Sequence, residues 1–375
     1  MYFVPHMKIR LLLAFISSVV LLDSCNSGKS ALEKGNYYDA VSIAVNRLRQ
    51  KPDHKKSQEV LRTSYKLAVE YLESDAQNQI ASNANYKWRN AVQNYDRINN
   101  LYEQIRTSPG ALKVIPNPVN KYKELTDVKA KAAEESYELG IQAMLKNTRE
   151  DAKRAYFYFV ESNTLSPGYS ESIEMMEQSK FNATIKVVVE YSIRNYSDWN
   201  FEPVVFGVNP SQFVKFYTPQ QAQDANLPQI DQIVRIVTNG YSETKPAITK
   251  STQNFTDSVK VGEKKVNDAK VPVYEKVSAT IVIYDKLITS RGSITLFIRD
   301  ANSNAELRNS DIVGENQWTD RWATCSGDQR ALSTSNKKLC GTKEPYMARD
   351  FLIVETKRNL DNKLANAISS FYSGY

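Results

Sequence analysis

The chain has 375 residues, 41% hydrophobic and 24% charged, with 13 glycines, 13 prolines and a formal charge of +7. That length fits two or three ordinary domains, and the balance excludes a disordered, fibrous or collagen-like chain. A mean hydropathy of -0.50 excludes a multi-span membrane protein, and two histidines with three cysteines leave little material for zinc sites, Ser-His-Asp triads or Cys-His dyads.

At the start of the chain, Lys8 and Arg10 precede an apolar run of 12 residues, Leu11 to Leu22, broken only by Ser17 and Ser18. As a helix it is about 18 Å long, short of the roughly 20 residues that a bilayer core demands. A basic start, a short apolar stretch and small residues describe a secretory signal peptide, with Met7 as an alternative start. The run ends Leu22-Asp23-Ser24-Cys25. This tetrad resembles the lipobox of bacterial lipoproteins, Asp23 departing from the usual small or apolar residue. The resemblance implies removal of residues 1–24 and acylation of Cys25, through a diacylglyceryl thioether and an N-acyl chain. More than one acyl chain anchors stably. Residues 25–30 then form a lipid-anchored tether, and Asn26 with Ser27-Gly28-Lys29-Ser30 brings no acidic run. By the same resemblance this implies the outer membrane, facing the periplasm. Losing Lys8, Arg10 and Asp23 lowers the formal charge from +7 to +6. So diffuse an excess suits anionic headgroups or cell-wall polymer and argues against nucleic acid. With Cys25 acylated, Cys325 and Cys340 remain as a pair in an oxidising compartment. A disulfide is expected, two free thiols being the alternative.

Residues 31–180 read as a helical domain. Gly35, Tyr37, Ala40 and Pro52 occupy positions that resemble the turn glycine, aromatic, small residue and terminal proline of a tetratricopeptide repeat. The small-aromatic-apolar spacing returns at Ala91, Tyr95 and Ile98, after Trp88, and again at Ala152, Tyr156 and Phe159. The intervals between Ala40, Ala91 and Ala152 are uneven, so degenerate or interrupted hairpins are expected. Ser108-Pro109-Gly110 and Ile115-Pro116-Asn117-Pro118 break the helices. A long helix follows, with Tyr122, Leu125, Val128, Ala132, Leu139 and Ala143 at helical spacing. Trp88, Tyr95 and Tyr156 are candidates to grip a peptide partner in a concave groove, against inter-helix packing.

Residues 181–375 read as an α/β domain with a mainly antiparallel sheet and a closing helix, so the chain is an α+β multidomain protein. Ala183 to Tyr191 is a β-branched alternating strand, and Gln229 to Thr238 is a second. Val273 to Asp285 and Ser293 to Asp300 read as a hairpin across Ser290-Arg291-Gly292, with a further strand from Ala305 to Gly314. Ile353, Leu360, Leu364, Ala367 and Phe371 form the stripe of a terminal helix that covers the sheet. The segments 183–191, 277–285, 293–300 and 361–372 together resemble the periplasmic domain of curli-secretion lipoproteins of the CsgG type and of activators of peptidoglycan synthases. The resemblance is one of strands and turns, and implies a fold rather than an activity.

Gly28-Lys29-Ser30 imitates the end of a phosphate-binding loop, but Asp23 stands where its first glycine belongs. Asp300, Asn302 and Asn304 alternate like calcium ligands, but Ala305 and Asp311 fail the rest of that loop, so a plain turn is expected. His54 reads as a solvated turn residue. The stretch from Trp318 to Leu332 reads as a structured loop closed by the disulfide. Its Trp318, Arg321, Trp322 and Arg330 are candidate partner contacts, because aromatics and arginine dominate binding hot spots. No catalytic residue, metal or cofactor is expected. The expected function is a lipid-anchored scaffold or adaptor. It would bind envelope proteins in outer-membrane assembly, secretion or regulation of cell-wall synthesis. The alternative is a protein that binds or processes cell-wall glycan or polysaccharide, with peptidoglycan as partner.

Overall fold

The computed structural model describes residues 27–193, 199–266 and 269–375, without the side chains of residues 191–193. The leader and Cys25 lie outside the described residues. The fold is α+β, and the chain divides into two compact units that meet in sequence between Ala183 and Thr184.

The first unit is all helix: α1 (Lys29–Glu33), α2 (Tyr37–Gln50), α3 (Lys55–Ala81), α4 (Lys87–Arg106), α5 (Pro109–Val114), α6 (Tyr122–Met144), α7 (Arg149–Leu165) and α8 (Ser172–Ala183). On α2 the stripe Ala40, Val41, Ala44, Val45 and Leu48 is buried, as the spacing of one helix face requires. Lys51 and Pro52 end α2, and His54 restarts the chain by accepting a hydrogen bond from the Ser57 backbone amide at 3.3 Å. His54 is therefore a helix cap rather than an idle turn residue. Leu61, Leu72, Tyr95, Ile98, Leu101 and Ile105 continue the core across α3 and α4. On α6, Leu125, Val128, Ala132 and Ala143 are buried as expected, whereas Tyr122 is 44% exposed. A small residue at 140 sets how closely α6 and α7 pack: a Cβ on Gly140 would lie 2.6 Å from the Phe159 ring.

The second unit is a six-stranded mixed sheet with short helices and a closing helix. It comprises β1 (Ile185–Ile193), α9 (Glu202–Gly207), β2 (Val214–Tyr217), α10 (Pro219–Asp224), β3 (Gln232–Glu243), β4 (Ala247–Val266), β5 (Ala269–Asp300), β6 (Glu306–Gly327), a single 3-10 turn (Gln329–Ala331), α11 (Thr334–Cys340) and α12 (Arg349–Tyr372). β1 pairs in parallel with β2 and β3, and the longer β3–β5, β4–β5 and β5–β6 ladders are antiparallel.

Three sequence expectations are corrected by this topology. No turn occurs at Ser290-Arg291-Gly292; β5 runs through it unbroken for 32 residues. β3 and β4 lie end to end along one edge of β5, Glu243 opposite Ser290 and Ala247 opposite Leu287, interrupted at Thr244, Lys245 and Pro246. β4 and β5 pair antiparallel from Ala247 opposite Leu287 to Val266 opposite Ala269. Gly292 is there for room rather than for a bend: a Cβ would sit 2.8 Å from Trp199 Cζ3 and 3.1 Å from Leu360 Cδ1. The strand expected at Ala305 to Gly314 extends to Gly327, so Trp318 to Gly327 is strand and not loop. β4 was not anticipated at all.

Burial along β5 changes face part-way. Val277, Ala279, Ile281 and Ile283 are buried in its first half, and Ile288, Ser290, Ile294, Leu296 and Ile298 in its second. Because side chains alternate, the odd-numbered face is covered first and the even-numbered face afterwards. α12 covers the latter with Leu352, Thr356, Leu360, Leu364, Ile368 and Tyr372, against Ile185, Val187, Val234, Ile294 and Ile312. Thr356 and Ser290, both fully buried, satisfy each other at 2.7 Å. Ala331, Leu332 and Leu339 cover the odd face. Gly292→Ala is expected to lower stability by about 1–3 kcal/mol through overpacking. Gly262→Ala, with open space around its Cβ, should leave the urea midpoint of the second unit unchanged.

Candidate functional site

The expected peptide-gripping aromatics separate on the structure. Tyr95 is 5% exposed and part of the first unit's core; burial holds its phenol above the ordinary range, with the Glu73 carboxylate adding to the effect. It packs helices and offers nothing to a partner, which corrects its candidacy. Trp88 is half-buried against the same core with the Lys87 ammonium 5.6 Å from its ring. Tyr156 is also half-buried, edge-on to Phe157 at 5.3 Å, with the Lys180 ammonium 5.8 Å above it.

Sequence reasoning missed a cleft elsewhere in the first unit, lined by none of these three residues. About 230 Å³ in volume, it is lined by Gly35, Tyr38, Asp39, Tyr71, Leu72 and Arg97 among others. The Arg97 guanidinium lies 4.3 Å from the Tyr38 ring centre, and the Tyr38 hydroxyl donates to Asn100 Oδ1 at 3.2 Å. Tyr71 is 62% exposed. An arginine stacked on a half-buried tyrosine whose hydroxyl is hydrogen-bonded, beside the exposed ring of Tyr71, is the composition of a protein-binding hot spot. The adjacent pair Tyr37-Tyr38 signalled it in the sequence, but Tyr71 and Arg97 reach the same place only through the packing of α3 and α4 on α2.

The second candidate cluster is split by strand geometry. Trp318 and Trp322 lie four apart on β6 and share a face, whereas Arg321 points to the other. Trp322 is 8% exposed and stacks on Tyr284 with ring centres 5.1 Å apart; it is packing, and its candidacy is corrected. Trp318 is half-buried opposite Ile288. Arg321 Nε donates to Asp285 Oδ1 at 2.6 Å, which holds the guanidinium firmly charged. Arg330 bridges Asp328 at 2.6 Å and Glu275 at 3.0 Å, and its pKa is raised chiefly by Asp328. Asp328 also accepts from the Arg330 backbone amide at 2.9 Å, and its carboxyl is lowered in turn by Arg330. Arg321 ties β6 to β5 across the ladder, and Arg330 ties β5 to the turn that follows β6.

Cys325 on β6 and Cys340 at the end of α11 form a disulfide, their Cα atoms 5.5 Å apart. The bond fastens α11 and the 3-10 turn over Val277, Ala279, Ile281 and Ile283. Asp300 Oδ1 accepts from the backbone amides of Asn302 at 3.1 Å and Ser303 at 2.8 Å, so its carboxylate is spent on the turn. Among the described residues, no three His, Cys, Asp or Glu side chains converge to hold a metal. No described helix is long and apolar enough to cross a membrane.

Compared with known proteins, the chain matches no family model and no curated protein.

Two outcomes follow from these contacts. The double variant Cys325→Ser, Cys340→Ser should lower unfolding free energy by about 3 kcal/mol, as expected for a loop of this length, and non-reducing alkylation of the native chain should leave both sulfurs unlabelled. A carboxyl depressed in the fold stabilises fully above its unfolded pKa of about 3.9 and ceases to as pH falls through the lower folded value. An NMR titration should find Asp328 below that unfolded value, and Arg330→Met should move it upward.

Proposed function

We propose that the chain is a lipid-anchored envelope scaffold: acylated at Cys25, held on the periplasmic side of the outer membrane, and binding protein partners without catalysing a reaction. The observation that carries this reading is Leu22-Asp23-Ser24-Cys25 at the end of a basic-then-apolar leader. Two features of the fold support it. The chain supplies two units with separate hydrophobic cores, hence two independent surfaces on one anchor. The first unit carries the aromatic–arginine cleft at Tyr38, Tyr71 and Arg97.

The anchor also sets reach. α1 begins at Lys29, four residues after Cys25, and four extended residues span at most about 14 Å. A tether this short holds the helical unit beside the lipid headgroups, so the partner of the cleft is a membrane protein or one delivered to the membrane. Candidate processes are outer-membrane assembly, secretion and regulation of cell-wall synthesis. The two acyl modifications together make the membrane anchoring stable, where a single chain would leave it marginal and reversible.

Intact-mass spectrometry of the purified protein should show an acyl adduct on a chain starting at Cys25, and a high-salt wash should strip Cys25→Ala from membranes while leaving the native chain in place. Crosslinking in cells should recover a specific envelope protein, with the yield reduced by Tyr71→Ala and Arg97→Ala. An unacylated mature chain, or a Cys25→Ala form that resists the high-salt wash as the native chain does, would overturn the proposal.

A further inference from the structure

The two-stranded end of the β4–β5 hairpin is amphipathic across its thickness. The β6 register stops at Ala279 opposite Gly327, so residues 257–266 and 269–277 pair only with each other. A lone two-stranded ribbon has no second layer to bury its side chains. Residues opposite one another in an antiparallel ladder share a face. On one face stand Val266 with Ala269, Gly262 with Val273, and Val259 with Glu275, the row interrupted by Lys264 opposite Val271. On the other stand Lys265 with Lys270, Glu263 with Pro272, Lys260 with Tyr274, and Ser258 with Lys276.

The first face is the outward continuation of the one that Ala331 and Leu332 cover at Val277 and Ala279. Beyond Glu275, whose charge is taken by Arg330 at 3.0 Å, that cover ends. Val266, Val271 and Val273 are then left 48%, 45% and 41% exposed, and Val261 stands out at 49% from the bulge between Lys260 and Gly262. The second face has Lys260, Lys265, Lys270 and Lys276 against Glu263 alone, and Glu263 is shared between Lys260 at 2.6 Å and Lys270 at 3.9 Å. All of these side chains are exposed.

We propose that this ribbon, residues 257–266 and 269–277, lies flat in the headgroup layer of an anionic bilayer, a second and non-covalent membrane contact. Its valine face sits at the acyl boundary and its lysine face among the lipid phosphates. The physics is that of any interfacial amphipathic segment: buried apolar area plus attraction to anionic lipid. Long lysine stems let the ammonium groups reach phosphate oxygens while the strand stays at the boundary. The outer edges of the two strands carry unpaired backbone groups, which the wet headgroup region can satisfy and the hydrocarbon core cannot. The ribbon therefore rests on the membrane rather than crossing it. This contact is independent of the anchor at Cys25, and a different measurement tests it.

The test uses the chain from Asn26 onward, which lacks the leader and Cys25 but retains every described element of both cores. It should float with phosphatidylglycerol-containing vesicles in about 0.1 M salt, and not with phosphatidylcholine alone. Flotation should weaken as salt screens the attraction. Lys265→Glu with Lys270→Glu, and separately Val271→Asp with Val273→Asp, should each lower the partition coefficient about tenfold or more, at unchanged thermal midpoint. Val273→Trp should shift its added emission to the blue on anionic vesicles only. Absence of flotation on anionic vesicles, or flotation that neither pair weakens, overturns the proposal. So does a concentration-dependent dimer that the valine pair dissolves while flotation is retained, because a second copy of the chain would then be the cover.

Discussion

One strand imposes the main constraint on the second unit. β5 is 32 residues long, and no single layer covers it from end to end. Its odd face is buried from Val277 to Ile283 and its even face from Ile288 to Ile298, so the sheet needs a cover on each side, at different places along one strand. α12 supplies one with a regular row of buried side chains from Leu352 to Tyr372. The other is a 3-10 turn and a seven-residue helix, too short to hold itself in place by burial alone. The covalent bond between Cys325 and Cys340 is located there. Arg330 reinforces it by reaching both Asp328 and Glu275, an exposed pairing that positions more than it stabilises. The strong fastener stands where the hydrophobic one is weakest.

The same change of face explains what could and could not be read from the sequence. Helices α2, α4, α6 and α12 follow a 3.6-residue apolar period and were legible, as were β1 and β3, whose branched residues are buried. The stretch Tyr284 to Leu287, where cover passes from one face to the other, loses its alternation, and Gly292 shortly after it imitates a turn. In fact that glycine admits Trp199 and Leu360 to the sheet. β4 carries mostly Ser, Thr, Gln, Asn and Lys, with most of its side chains exposed, so no period marks it. Its strand conformation comes from pairing with β5, a long-range contact invisible to local pattern.

The candidate site was legible in composition and illegible in direction. Trp318, Arg321, Trp322 and Arg330 do fall in one short segment, but as part of a strand they divide between faces, and Trp322 is consumed by stacking on Tyr284. Tyr95 met the same fate in the helical core. Tyr38, Tyr71 and Arg97 show the converse: residues far apart in sequence meet because α2, α3 and α4 pack through small side chains at Ala40, Ala44, Ala68 and Ala91. Large aromatics near small residues signal packing as readily as recognition. The two readings are separated by exposure, and exposure is a property of the fold.

The distribution of cover also bears on why the ribbon is built as it is. An edge with unpaired backbone groups invites aggregation, and proteins commonly defend such edges with lysines, bulges and twist. The β4 edge has all the lysines and the bulge that defence calls for, at Lys250, Lys260, Lys264, Lys265 and Gly262. Edge defence alone, however, does not require valines on one face. Val266, Val271 and Val273 remain half-exposed on a segment that gains no stability from them, and polar residues of equal strand propensity, threonine above all, would pair as well without the hydration cost. Lysines on one side and uncovered valines on the other meet two requirements together only at a boundary between water and an apolar phase. The first half of β5 has its protein cover bolted on by a disulfide; its outermost residues have none, and the cover they fit is lipid.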